Sequence, residues 1–137
     1  MLKSQGLLKV VLGGVALAHL IIGIVGCLPF IPVERLAAVF YRASVTISPQ
    51  IEHIVQMFGA YMLTIGVLSI FALIDPVRNK AIITAISFLL FVRVLQRVLF
   101  VEQANIIFDI PVGWYWMQTV SFFAVAIALV LLRPKQG

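Results

Sequence analysis

The chain has 137 residues, of which 63% are hydrophobic and 11% are charged, and its formal net charge is +5. A soluble domain is about 45–50% apolar, so this composition excludes an ordinary soluble protein and leaves no length for a separate soluble domain. The basic residues are few and flank apolar runs, which indicates membrane orientation and argues against nucleic-acid binding. We therefore predict a single all-α transmembrane domain over residues 1–137.

Four apolar runs are each close to the ~20 residues that cross a bilayer as a helix. They predict a four-helix transmembrane bundle with spans at residues 8–31, 50–74, 77–101 and 111–132. The first run is too long for the core of a signal peptide and lacks a convincing cleavage signal, so we expect a retained span. Capping side chains before prolines predict that spans two and three begin at Ser48-Pro49 and Asp75-Pro76.

The connection between spans one and two has its own pattern. Apolar residues recur with helical spacing from Val33 to Ile47, while Glu34, Arg35 and Arg42 lie elsewhere on the helical wheel. This pattern predicts a short amphipathic helix on the outer membrane surface. An irregular loop over the bundle is the alternative.

Charge asymmetry predicts the orientation of the bundle. One face carries basic residues from three separate segments, namely Lys3, Lys9, Arg78, Lys80, Arg133 and Lys135. The other face carries the acidic residues Glu34, Glu52, Glu102 and Asp109 together with Arg35 and Arg42. The positive-inside rule then assigns both termini to the cytoplasm, and we expect a bacterial inner-membrane protein.

Glycines predict where helices approach closely. Gly59 and Gly66 share a face of span two, and span one is enriched in glycine at positions 13, 14, 23 and 26. Small residues let helices come close in lipid, where apolar burial does not drive association. The glycines pack either this bundle or an interface with another subunit.

Two arginines inside span three are the strongest functional signal. Placing one arginine at the bilayer centre costs about 2.5–3.5 kcal/mol on insertion scales, so Arg93 and Arg97 require partners. With Gln96 they are spaced i, i+3, i+4 and share one helix face, which predicts that Arg93 faces inward. Three readings remain open: snorkelling to the headgroups, structural bonds to carboxylates or carbonyls, and binding of a lipid headgroup or quinone oxygen.

Other polar residues extend this candidate site. Glu52 and His53 lie at the start of span two, and Glu102 lies at the end of span three, on the same side of the membrane as the arginines. These positions predict a polar cluster in which Glu52 pairs with Arg97. His19 lies about 15 Å into span one, by the helical rise, and joins the arginines as a candidate lipid or quinone ligand. It is alternatively a haem or chlorophyll ligand, although a hydrogen-bonded interhelical histidine is more common.

No catalytic or metal-binding constellation is readable in the sequence. There is no Ser/His/Asp set, paired carboxylates, phosphate loop or HxxxH, ExxH or CxxC motif, and Cys27 is the single cysteine. We therefore predict no catalytic residues and no metal site.

The run from span two into span three, FGAYMLTIGVLSIFALIDPVRNKAIITAISFLLFVRVLQRVL, resembles the small four-span proteins of the DoxX-like type. The matching features are Gly59 and Gly66, the Asp75-Pro76 turn, and Arg93 or Arg97. A few such proteins are subunits of quinone-linked oxidoreductases, so the resemblance implies a possible quinone-facing role and no transferable catalytic residue.

The first functional hypothesis is a non-catalytic accessory or structural subunit of a larger membrane complex. The alternatives are a quinone- or lipid-binding component of a membrane oxidoreductase, and a haem- or chlorophyll-binding subunit. The expected partners are membrane lipids and either other membrane proteins or further copies of the chain, with no nucleic acid.

Overall fold

A computed structural model describes residues 2–28, 32–44, 46 and 48–134. These residues form the helices α1 (Leu2–Cys27), α2 (Val33–Leu36), α3 (Pro49–Ile74), α4 (Lys80–Leu99), α5 (Val101–Phe108) and α6 (Val112–Leu132), and a π-helical turn over Ala37–Tyr41 continues α2. The helices α1, α3, α4 and α6 are long and apolar enough to cross a membrane. The predicted all-α bundle of four spanning helices is therefore confirmed, as is a short helix between the first two.

The bundle consists of two closely packed helix pairs. α1 packs along α3 and α4 packs along α6, while α1 also contacts α6 and α3 contacts α4. A buried apolar core fills the half of the bundle near the α3–α4 turn, and it includes Leu8, Leu12, Ala72, Ile83, Leu90 and Leu129. The opposite end, which carries α2 and α5, is called the capped end below.

Glycines bring α1 and α3 into backbone contact near the capped end. A Cβ atom added at Gly59 would lie only 2.7 Å from the carbonyl carbon of Gly26, and one at Gly23 would lie 2.5 Å from the Leu63 nitrogen. These glycines therefore pack helices of this bundle against each other, which was the first of the two interpretations given for them above. Gly13 and Gly14 have open space where a Cβ would be, so they take no part in this contact.

The predicted helix starts were correct for α3 and wrong for α4. Ser48 accepts a hydrogen bond from the Ile51 nitrogen at 3.4 Å and caps α3. α4 begins only at Lys80, because Asp75 instead accepts from the Arg78 nitrogen and stabilises a turn. Asn79 Nδ2 donates to the carbonyls of Phe71 and Asp75, so these backbone acceptors at the C-terminal end of α3 have a hydrogen-bond partner.

The capped end departs from the predicted boundaries. The helical segment that begins at Val33 ends at Tyr41, because Arg42 takes a left-handed conformation (φ 52°) and its nitrogen bonds back to Ala38. The predicted end at Ile47, and the predicted end of span one at residue 31, lie outside the described residues. The helix α5 was not predicted.

Candidate functional site

A cavity of about 570 Å³ lies at the capped end, within the size range of small-ligand sites. Its walls come from the ends of α1, α3 and α4, from α2, the π-helical turn and α5, and from Tyr115 of α6. Most of the lining is apolar, including Ile22, Val33, Val55, Phe58, Ile107 and Ile110. The principal polar groups in this lining belong to Gln96, Arg97, Tyr41 and Tyr115.

Arg97 is buried, with 6% of its surface exposed, and α6 holds it in place. Its Nε donates to the Thr119 hydroxyl at 2.8 Å, and its Nη2 donates to the Tyr115 carbonyl at 3.0 Å and the Gln118 side-chain oxygen at 3.1 Å. The guanidinium also lies 4.0 Å from the centre of the Tyr115 ring. The Tyr115 hydroxyl in turn donates to the Arg97 carbonyl at 2.6 Å. The side chain is therefore fixed in one orientation before any ligand arrives.

Arg97 retains donor capacity toward the cavity. A guanidinium has five N–H donors, and the three bonds on α6 occupy Nε and Nη2. Among the residues that the structure describes, none accepts a hydrogen bond from Nη1. Because Arg97 lines the cavity, a ligand oxygen there has a positioned, charged donor available.

Arg93 points into the bundle, as predicted. Its Nη2 donates to the Tyr41 hydroxyl at 2.9 Å, and its guanidinium lies 4.5 Å from the centre of the Phe122 ring. Tyr41 belongs to the π-helical turn and lines the cavity, so Arg93 reaches the cavity wall through that hydroxyl. The sequence did not identify Tyr41 as the acceptor.

The predicted polar cluster around Arg97 does not form. Over the described residues, neither Glu52 nor Glu102 makes an ion pair with Arg97, and His53 makes no hydrogen bond to it. Glu52 is half-buried, while His53 and Glu102 are exposed. Arg97 instead finds neutral acceptors on α6, namely Thr119, the Tyr115 carbonyl and Gln118.

His19 is buried, with 7% of its surface exposed, and does not line the cavity. Its Nδ1 donates to the Val15 carbonyl at 2.8 Å, while Nε2 is enclosed and has no hydrogen-bond partner among the described residues. An enclosed Nε2 has no open face for a planar macrocycle, so His19 does not fit a haem or chlorophyll ligand in this arrangement.

Hydrogen bonds from α6 hold the π-helical turn in place beside the cavity. The Phe40 carbonyl accepts from Gln118 Nε2 at 2.7 Å and from the Trp114 indole at 3.3 Å. The guanidinium of Arg42 lies 4.2 Å from the centre of the Trp114 ring. Gln118 therefore links the π-helical turn to Arg97, because its Nε2 donates to the Phe40 carbonyl while its Oε1 accepts from Arg97.

Sequence reasoning missed the residues of α6 that hold this site. Tyr115, Gln118, Thr119 and Phe122 are spaced i, i+3, i+4 and i+7, so they share one helix face. Polar residues at that spacing within an apolar span were a readable signal for the partner of the arginines. Of the four predicted ligand residues, Gln96 and Arg97 line the cavity and Arg93 and His19 do not.

Comparison with protein-family models, with curated proteins and with solved structures gives no match for this chain. Within the described part of the chain, no three His, Cys, Asp or Glu side chains come together as a metal site requires. The functional argument therefore depends on the cavity and its arginines.

Proposed function

We propose that this small polytopic membrane protein is a non-catalytic component that holds the polar end of a membrane-soluble ligand, a lipid or a quinone. The observation that carries the proposal is the buried guanidinium of Arg97 at the wall of an apolar cavity of about 570 Å³. Charged side chains within spanning helices are expensive and usually mark a ligand or ion site.

The geometry fits a ligand with one polar end and one apolar end. Nη1 of Arg97 supplies a donor for a carbonyl, carboxylate or phosphate oxygen, and Gln96 adds an exposed amide at the same wall. Apolar residues of α1, α2, α3, α5 and the π-helical turn cover most of the remaining surface and suit a hydrocarbon chain. Because α6 already fixes the guanidinium, ligand binding does not have to order it, which favours affinity.

The resemblance to DoxX-like proteins supports a place in a larger membrane assembly. In such an assembly the chain acts as an accessory subunit that presents or retains a lipid or quinone for a partner. A few proteins of the DoxX-like type are subunits of quinone-linked oxidoreductases, and the resemblance to that type implies such a role here.

Native mass spectrometry of the full chain, purified in a mild detergent, tests the proposal. We expect a bound lipid or quinone at one copy per chain, and Arg97→Gln should lower its retention by about tenfold or more, since hydrogen bonds to charged groups contribute roughly 1.5–3 kcal/mol. Arg133→Gln is the matched control, because Arg133 is bonded to Thr84 at the opposite end of the bundle.

A cavity-filling variant keeps the test decisive if Arg97→Gln fails to fold. Ala104 lines the cavity and is half-buried, so Ala104→Trp fills space without removing the arginine. Helicity and thermal unfolding of this variant establish that it is folded. Unchanged ligand retention in folded Ala104→Trp would contradict binding in this cavity.

A further inference from the structure

Arg93 and Arg97 together form a concentration of positive charge that no acidic side chain of the described residues neutralises by an ion pair. The two residues lie one helical turn apart on α4, and their guanidinium groups share the Phe122 ring, at 4.5 Å and 5.7 Å from its centre. The two like charges repel each other within the same half of the bundle.

Every hydrogen-bond partner of the two guanidinium groups in the described structure is neutral. Arg97 donates to a threonine hydroxyl, a backbone carbonyl and a glutamine oxygen, and Arg93 donates to a tyrosine hydroxyl. Aromatic rings cover both groups. These contacts satisfy donors and orient them, but they carry no negative charge.

The acidic residues of the capped end do not compensate this charge. Glu34, Glu102 and Asp109 are exposed and Glu52 is half-buried, and in the part of the chain that the structure describes none of them forms an ion pair with either arginine. A buried charge without an opposite charge is costly in a low-dielectric environment. Arg97 is buried and Arg93, one helical turn away, is half-buried, so their combined charge favours an anion in the cavity that Arg97 lines.

We propose that the ligand of this cavity is an anionic lipid, whose phosphate or carboxylate is bound by Arg97 and faces the charge of Arg93. This inference rests on the proposed function and narrows its ligand class. An anionic oxygen forms a bond to a guanidinium roughly twice as strong as a neutral one does. A neutral quinone carbonyl leaves both positive charges uncompensated, so we expect it to bind more weakly.

The cavity has an exposed apolar rim along which the chain of a lipid could lie. Its lining includes the exposed side chains of Ile51 and Phe58 from α3. Exposed Ile107 and Phe108 of α5 continue this apolar rim. In this proposal the headgroup oxygen lies at Arg97 and the hydrocarbon chain follows the apolar rim toward the bilayer.

A competition experiment with the full chain tests the charge of the ligand. The protein is exchanged into micelles containing equimolar phosphatidylglycerol and phosphatidylcholine with identical chains, together with a short-chain ubiquinone, and bound species are counted by native mass spectrometry. We expect phosphatidylglycerol to be retained about tenfold more than the ubiquinone, because only the phosphate forms a charge-assisted bond to the guanidinium. We also expect it to be retained more than phosphatidylcholine, because the choline cation cancels the net charge of that headgroup and is repelled by the two arginines. The preference should disappear in Arg97→Gln and weaken in Arg93→Gln, while Arg133→Gln keeps it.

The alternative outcomes separate this inference from the proposed function. Preferential, Arg97-dependent retention of the ubiquinone or phosphatidylcholine would overturn the anionic assignment and leave the proposed function standing. No retention of any of the three, or retention unaffected in folded Ala104→Trp, would overturn both. Displacement of the lipid by millimolar inorganic phosphate would show a free-anion site and also overturn the lipid assignment.

Discussion

Replacing Gly59 with alanine tests the backbone contact that shapes one wall of the cavity. The added Cβ would lie 2.7 Å from the Gly26 carbonyl carbon and 2.8 Å from the Cys27 nitrogen. Both neighbouring atoms belong to backbone and have no rotamer by which to move away. Because carbon atoms pack at about 3.5–4.0 Å, α1 and α3 must separate locally by roughly 1 Å.

The size of the effect follows from two opposing terms. Inserting a methyl group into a well-packed contact costs about 1–3 kcal/mol. Alanine recovers up to about 1 kcal/mol over glycine through its higher helix propensity. Gly14→Ala isolates the second term, because nothing lies within 4 Å of its added Cβ. Gly59→Ala should therefore be about 1–3 kcal/mol less stable than Gly14→Ala.

Reversible unfolding in mixed micelles, driven by increasing sodium dodecyl sulfate and followed by circular dichroism, measures this difference. Gly26 and Gly59 line the cavity, so ligand retention should fall together with stability in Gly59→Ala. Equal free energies of unfolding for the two alanine variants would refute the close backbone contact between α1 and α3.

Two further predictions concern orientation and the fixing of the arginine. In a Cys27→Ala background, a cysteine at exposed Gln103 should react with an impermeant maleimide in intact cells, and one at Val77 only after permeabilisation; the reverse pattern would show the opposite orientation. Thr119→Val removes the acceptor of Arg97 Nε and should lower the free energy of unfolding by about 1.5–3 kcal/mol, since the lost bond comes from a charged donor. Thr119→Ser keeps the oxygen and should lose much less, so equal losses in the two variants would show that the hydroxyl is unimportant.

The sequence alone was sufficient to predict the four spanning helices, because hydrophobicity over about 20 residues is a property of each segment by itself. It was also sufficient to single out Arg93 and Arg97, since a charge within such a run must find partners wherever the helix lies. The Ser48 cap of α3 follows from neighbouring residues and was predicted for the same reason. The start of α4 was missed because Asn79 and Asp75 make competing side-chain bonds to the backbone.

Only the tertiary structure decided which groups surround the arginines. The sequence offered Glu52 as the partner of Arg97 because opposite charges attract, but it contains no local signal for which helices are neighbours. α4 packs closely along α6, so Thr119 and Tyr115 reach Arg97 instead. The cavity likewise exists only because segments distant in sequence meet at the capped end, with the Phe40 carbonyl bonded across to α6. Contacts of this kind depend on how helices fit side by side, which no single segment encodes.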